Sequence, residues 1–476
     1  MQAHLIACGL LAILLECALA SAQPRVTFVQ RQPDLTAGGG PLAIAAADLD
    51  GDGNADLAVA NADSDDVSIF WGRGDGSFAA APAALPVQAP AQTLIIETPV
   101  AIAIADVTGD GKPDIVTANA SASSVSVLPN LGQRTFGSAL ESPTGPSPEA
   151  LAVGDFNGDS IADLATPNLL DDSVSILLGT GHGTFTGLSV CSSQPTRPCR
   201  QSTDCPQAAA CTPRAIPVST SPAALATADF DKDGHLDLAI ANSEGDTNFT
   251  GSLTVLQGLG NGVFVARPEI ASPSFDHLVA TAVADVNGDG PIDVVVANDL
   301  GDSLSVLYGQ GGLAFQAPIQ LDLGAGSGPE GIAIADFNGD GVADIAAAAS
   351  SRDKVSVFAG SRTGTFAAPR DVALAAGSTP VGLAAADLND DRRVDLAAPN
   401  ALPTGTVSVL LNATCAGDCG GDSAVTVDEL LTMTNIALGT APVPQCLAGD
   451  ANGDRQVTVD EIVSAVQRAL NGCTPS

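Results

Sequence analysis

Positive charge is what this sequence has least of. Lys and Arg together number 18 among 476 residues, against 54 Asp plus Glu, for a formal net charge of −36. A surface so short of cations repels phosphate backbones, so nucleic acid is not an expected partner, and neither is an anionic membrane face. Aromatic residues are also rare, with one Trp, one Tyr and 14 Phe, which leaves little material for a sugar-stacking platform. Histidine number four. Three of them, His182, His235 and His277, fall beyond residue 22, and the Gly-rich and loop settings of the first two read as turns rather than as acid–base machinery. No G-x-S-x-G elbow, H-E-x-x-H helix or P-loop is present, and Gly runs such as Gly179-Thr180-Gly181-His182-Gly183 join strand to strand. Beyond the N-terminus no uninterrupted apolar stretch is long enough to span a bilayer, so membrane insertion is not expected.

The acids that are present are ordered, which argues against disorder as the source of the charge. Seven copies of D-x-[DNT]-x-D-x-x-x-D begin at Asp48, Asp106, Asp155, Asp229, Asp285, Asp336 and Asp387, and each precedes a short apolar strand. Their positions 1, 3, 5, 7 and 9 are Asp48, Asp50, Asp52, Asn54 and Asp56 in the first copy. In the second they are Asp106, Thr108, Asp110, Lys112 and Asp114, and in the third Asp155, Asn157, Asp159, Ile161 and Asp163. The fourth has Asp229, Asp231, Asp233, His235 and Asp237, and the fifth Asp285, Asn287, Asp289, Pro291 and Asp293. The sixth has Asp336, Asn338, Asp340, Val342 and Asp344, and the seventh Asp387, Asn389, Asp391, Arg393 and Asp395. Oxygen side chains at 1, 3 and 5 point to one side of a tight turn, position 7 is placed to lend a backbone carbonyl, and position 9 closes the shell. Such an oxygen-only set selects calcium over transition metals. Asp and Asn are also good turn formers, but turn formation alone does not require Asp at 1, 5 and 9 in all seven copies. Three copies are expected to bind most weakly: Thr108 offers only a hydroxyl, Ser160 replaces a turn glycine, and Arg392 and Arg393 bring positive charge into the seventh loop.

The loops recur at intervals of 58, 49, 74, 56, 51 and 51 residues. Within one interval the order is an apolar strand, the loop, a strand such as Leu57-Ala58-Val59-Ala60 ending in Asn61, a β-branched run such as Val67–Trp71, and a Gly-rich turn to a Phe. Four short strands per unit of about 50 residues predict a mainly β fold, a seven-bladed β-propeller, with an open solenoid as the alternative. The last unit lacks its closing Phe strand, and Val26-Thr27-Phe28 through Asp48 matches Gly364-Thr365-Phe366 through Asp387. The N-terminal strand is therefore expected to complete the last blade and close the ring.

The pattern F-x-x-P, apolar strand, DxNGDGxxD, LxxxN, VSVLxGxGxGxF resembles the FG-GAP/VCBS repeats of integrin α-chain propellers and of many secreted bacterial proteins. The resemblance covers about residues 25–412. It implies a seven-bladed propeller with calcium between the first two strands of each blade, and adhesion or ligand binding more often than catalysis.

Residues 1–22 read as a secretory signal: Leu5 to Leu19 is mostly apolar and Ala20-Ser21-Ala22 is a cleavage site, although no Lys or Arg precedes the apolar run and Glu16 interrupts it. The propeller then occupies 23–412. Its longest interval holds a polar, Pro-rich insert at 189–214 with Cys191, Cys199, Cys205 and Cys211. A second set, Cys415, Cys419, Cys446 and Cys473, brackets residues 413–476. Two disulfides per cluster suit an exported protein, with three possible pairings each. Zinc is the rival reading, but it lacks the paired C-x2-C spacing.

From residue 413 the pattern changes. Asp450, Asn452, Asp454, Gln456, Thr458 and Glu461 lie in a twelve-residue EF-hand-type loop leading into an apolar helical run, Ile462 to Leu470, with Arg455 where a turn glycine is usual. A poorer copy spans Asp418 to Glu429 and precedes Leu430 to Leu438. Paired loop–helix units resemble dockerin modules, which implies a small α-helical C-terminal domain with a cohesin-like partner, or else a disulfide-braced calcium cap. The whole sequence therefore reads as a secreted or cell-surface calcium-binding propeller that binds an extracellular protein or glycan. An extracellular polysaccharide lyase or hydrolase on the same scaffold is the alternative, though no catalytic residue can be named.

Overall fold

The computed structural model describes residues 26, 28–80, 84–88, 96–199, 204–205, 211–213, 215–244, 250–402, 404–412, 427–438, 457–459, 462–463 and 465–466. The chain divides into two compact units, one of residues 30–337 and 342–411, the other of residues up to 29, 338–341 and 412–476. The first unit is the propeller. Blade one consists of Pro41–Ala47, Asp56–Asn61, Asp66–Gly72 and Phe78–Ala80, each antiparallel to the next. The same four-strand order builds blade two from Pro99–Ala105 to Leu140–Pro143 and blade three from Ala152–Gly154 to Phe185–Gly187. Blade four runs from Pro222–Ala228 to Phe264–Ala266, blade five from Leu278–Ala284 to Ile319–Asp322, and blade six from Pro329–Ala335 to Arg370–Ala373. Blade seven contributes Ala384–Ala386, Asp395–Asn400 and Thr406–Asn412.

The innermost strands touch one another in cyclic order, blade one against two and so on to blade seven, which returns to blade one. A solenoid would leave the first and last units apart; this is a closed ring. Its seal lies in blade seven, where the N-terminal segment pairs with the third strand. Leu35 and Thr36 oppose Val407 and Thr406. The Arg31 N–H donates to Val409 O at 2.8 Å, and Gln30 Nε2 donates to Ser408 Oγ at 3.1 Å. A strand that would otherwise be an open template for another chain is thereby covered.

The second strand of every blade is buried along its whole length. Sheets stacked face to face bury both faces, so these strands read as continuous apolar runs rather than as an alternating pattern. The period of two then decides which neighbour each residue meets. Leu57 and Val59 pack with Leu388, Ala397, Val407 and Val409 of blade seven, whereas Ala58 packs with Ile69, Trp71, Ile115 and Leu128 toward blade two. Fully burying a Leu or Val side chain contributes about 1.5–3 kcal/mol, and each seam contains several. Where the second strand ends in Asn, the side chain is buried and ties to the third strand. Asn61 Nδ2 donates to Ser68 Oγ at 2.9 Å, Asn119 to Ser126 at 2.8 Å and Asn400 to Ser408 at 3.0 Å.

The insert after blade three carries its own three-stranded sheet, Gln194–Pro198, Ser189–Cys191 and Cys211–Pro213. Of the pairings left open by the sequence, Cys191–Cys205 and Cys199–Cys211 are formed. The bonded sulfurs leave no thiolate set for zinc here.

In the second unit a helix spans Val427–Ala437, starting three residues before the expected run. Met433, Ile436, Val457 and Ala465 form a small core, with Leu430 and Ile462 against it. Among the described residues this short helix and a few helical positions at 459, 462–463 and 465–466 are what the C-terminal region shows, and an EF-hand pair is not shown by them. Asp450, Asn452, Asp454, Gln456 and Glu461 lie outside the described residues, as do most of 418–429, Cys415, Cys419, Cys446, Cys473 and the expected signal at 1–22. No described helix is long and apolar enough to cross a membrane.

The seal in blade seven is testable. Deleting residues up to 37 should expose the edge of Thr406–Asn412 and cause concentration-dependent association, read by light scattering, that the intact chain does not show.

Candidate metal centres

Each aspartate loop connects the first and second strands of its blade. Position 1 acts as the hub. Asp48 Oδ1 accepts the Gly51 and Asp52 N–H groups at 2.7 and 3.2 Å, and its Oδ2 accepts Gly53 N–H at 2.9 Å. Asp106, Asp155 and Asp285 repeat all three bonds. Asp229 and Asp387 accept from positions 5 and 6 in the same way. Position 6 needs a left-handed backbone, supplied by Gly53 at φ 90° and, without glycine, by Ser160 at 65° and Arg392 at 66°. The N–H of position 7 donates to the position-5 carboxylate in the copies with Asn54, Lys112, Ile161, His235 and Arg393. In the sixth copy Asp340 N–H donates to Asn338 Oδ1 at 2.9 Å.

Position 9 differs from the rest. Asp56, Asp114, Asp163, Asp237, Asp293, Asp344 and Asp395 are fully buried. Asp56 Oδ2 accepts Leu49 N–H at 2.9 Å and its Oδ1 accepts Gly72 N–H at 2.7 Å, joining loop start to third-strand end. Asp114, Asp163, Asp237, Asp293 and Asp344 make the same pair of bonds, and Asp395 accepts from Leu388. The third strand comes so close here that a Cβ on Gly72 would sit 2.1 Å from Ala55 O, and one on Gly258 2.0 Å from Leu236 O. Blade two has Asn130 at this point, and its Nδ2 donates instead to Leu49 O and Pro113 O at 2.7 and 3.0 Å.

Carboxylate oxygens of Asp48, Asp50 and Asp56 lie within 4.8 Å of one another, as do those of Asp229, Asp231 and Asp237. These are the two copies with Asp at position 3. Elsewhere the third donor is Asn157, Asn287, Asn338, Asn389 or Thr108, so fewer negative charges converge. The donor set is oxygen throughout and already ordered by backbone N–H groups, which fits a hard divalent cation. Burial pushes Asp56, Asp163, Asp237 and Asp293 up to about 6, with neighbouring loop acids adding to it and backbone donors opposing it.

Three loops hold a protein cation among their acids. Lys112 Nζ meets Asp110 Oδ2 at 2.5 Å and holds that carboxyl below the usual range. Arg393 meets Asp391 at 3.1 Å. The third was not visible from loop spacing: Arg134, from the hairpin of blade two, contacts Asp50 directly and Asp52 at 3.4 Å, with its guanidinium 5.1 Å from the Trp71 ring centroid. Trp71 in turn stacks on Phe136 at 6.5 Å. In the fourth loop a neutral donor takes this place, Gln257 Nε2 to Asp231 at 2.7 Å. Of the histidines, His182 and His235 are in turns, and His277 has φ 56° and sits 3.3 Å from an Asp299 oxygen.

A ring of seven four-stranded sheets with an acidic loop at the same hairpin of each defines a repeat β-propeller. The sequence model of the FG-GAP-like repeat matches residues 48–117, 106–166, 229–296, 285–347 and 343–398, more than half of the chain, and the chain belongs to that family. Among solved structures it is similar to BBS1N, determined in complex with ARL6DN, at 16% identity and a TM-score of 0.52, covering 82% of this chain and 98% of that one. It is also similar to a streptogramin B lyase at 13% identity and a TM-score of 0.50, with coverage of 82% and 98%. At such identities the likeness is one of fold. No curated protein matches the sequence.

The raised carboxylates set a pH dependence. Without divalent cations the folded state keeps protons that the unfolded chain, with carboxyls at 3.8, releases. Their favourable contribution is full below 3.8 and is lost as pH rises to about 6. Thermal melts in chelator should therefore show the midpoint falling across that interval, and a rising midpoint there would contradict the burial effect.

Proposed function

We propose that this protein is a secreted, calcium-binding propeller that presents its loops to an extracellular protein or glycan. The observation that supports it best is the sevenfold repetition of an oxygen-only, N–H-organised acidic loop. Calcium would be held by positions 1, 3, 5 and 9 of each copy, with a carbonyl from position 7, and would supply charge neutralisation and a fixed loop geometry. Its presence would also favour the charged form of the buried position-9 acids. Lys112, Arg134 and Arg393 must withdraw before an ion can enter their loops, so the first, second and seventh copies are the weak ones. Ser160 adds a conformational cost in the third. The two disulfides and the scarcity of exposed cations suit an oxidising, extracellular setting.

The enzyme alternative has the fold in its favour, since a streptogramin B lyase shares it, but at 13% identity that likeness carries no chemistry to this chain. For the C-terminal residues we favour a calcium cap, with Met433 and Ile436 in its small core, over a docking module for a cohesin-like partner, because cysteines bracket the segment.

Trp71 is the one tryptophan of the chain, so its emission reports on Arg134. Adding calcium to chelated protein should change that emission as the guanidinium leaves the ring. Arg134→Gln should abolish the response and tighten loop-one calcium by about 3–10-fold, the worth of a partly exposed ion pair with its cation–π contact. Calorimetry showing no calcium uptake, with a melting temperature indifferent to chelator, would sink the metal reading. For the binding role, the intact chain should capture glycans or extracellular proteins from arrays in calcium and release them in chelator. Silence in both conditions would overturn it.

A further inference from the structure

The insert after blade three does more than decorate the rim. Between it and the outer strand of blade three lies a cleft of about 890 Å³, within the size range of small-ligand sites. Leu178, Leu188 and Ile161 line it with apolar surface. Around them stand the amides of Asn157 and Asn261, the hydroxyls of Thr180 and Thr186, the Asp159 carboxylate and the Arg197 guanidinium. The strand Gln194–Pro198 of the insert carries Arg197, and Asn261 of blade four ties to that strand by donating from Nδ2 to Thr196 O at 3.4 Å. Cys199 N–H donates to Ser189 O at 2.9 Å, and the bonds Cys191–Cys205 and Cys199–Cys211 brace the same segment. The cleft is thus walled by a stapled loop rather than by a free one.

We propose that this cleft binds a short, uncharged oligosaccharide, a reading that rests on the extracellular binding role proposed above and places it at one site. The lining matches such a ligand. With Asn157 and Asp159 left to the third loop's ion, the Asn261 amide and the Thr180 and Thr186 hydroxyls can donate to or accept from adjacent sugar hydroxyls, while Leu178 covers a C–H face. A phosphorylated ligand is disfavoured, because the one cation of the lining, Arg197, shares it with the Asp204 carboxylate.

Gly187 gives a clean test. It lines the cleft on the strand Phe185–Gly187, and a Cβ added there meets nothing within 4 Å. Gly187→Phe therefore fills the cleft without a backbone clash, and Gly187→Ala is a folded control that leaves it open. The probe is a panel of immobilised neutral oligosaccharides of two to four units, measured with the full chain in calcium. The expected result is binding to at least one of them, weakened by at least about tenfold in Gly187→Phe and in Arg197→Ala, retained in Gly187→Ala, and abolished by reductant. Melting temperatures show that the variants are folded, and if Gly187→Phe is not, Arg197→Ala and the reductant still decide. Binding that survives all three changes overturns the cleft while leaving the binding role intact. No binding of any neutral oligosaccharide by the intact chain overturns the ligand class, and the protein-array arm then judges the binding role separately.

Discussion

In each blade a carboxylate without exposed surface accepts backbone N–H, in six of them from at least two parts of the chain, as Asp56 does from Leu49 and Gly72. Asp56 links Leu49 to Gly72, and its counterparts do the same around the ring. A buried carboxylate is costly unless its lone pairs are filled, and charge-assisted bonds to N–H groups are among the stronger ones available. This contact fixes where the second strand starts and where the third must end. It sets the hairpin register, and with it which apolar residues face which neighbouring blade. It also brings the acidic loop over the start of the strand, so the loop geometry and the sheet geometry are one arrangement.

That arrangement explains why the fold was legible. The period near 50, the apolar second strand and the glycine after the β-branched run are local signals that physics makes unavoidable: Gly72 is required because Ala55 O leaves no room for a side chain. The completion of the last blade was legible too, because the first strands match the missing part of the seventh unit. The position of the loop acids followed from the same spacing. What spacing could not show was the set of groups that reach a loop from elsewhere. Arg134 is 84 residues from Asp50, in a hairpin that looks like any other, and only ring packing brings it over Trp71. The choice of cysteine pairing was likewise open, because four cysteines in a short polar stretch allow three pairings and the backbone path decides. The cleft beneath the insert could not be read from one motif, since residues of the third acidic loop meet three other stretches of chain there.

The acidity of the sequence takes on a more particular meaning in the structure. The charge is gathered into loops where backbone donors organise it, and three loops already balance part of it with a lysine or arginine. In the fourth loop a neutral donor, Gln257, meets Asp231 instead. The loops are therefore electrostatically unequal around the circle.

The seal in blade seven also governs the order of events during folding. Residues 30–37 must wait for a strand more than 370 positions later, so the final seam is the one with the largest loop to close. Six blades can pair their own strands as the chain emerges, but the seventh stays incomplete until nearly all of the propeller is available. A chain threaded through a narrow channel from one end would keep its leading segment unpaired throughout transit. Closure is then an event reserved for the far side.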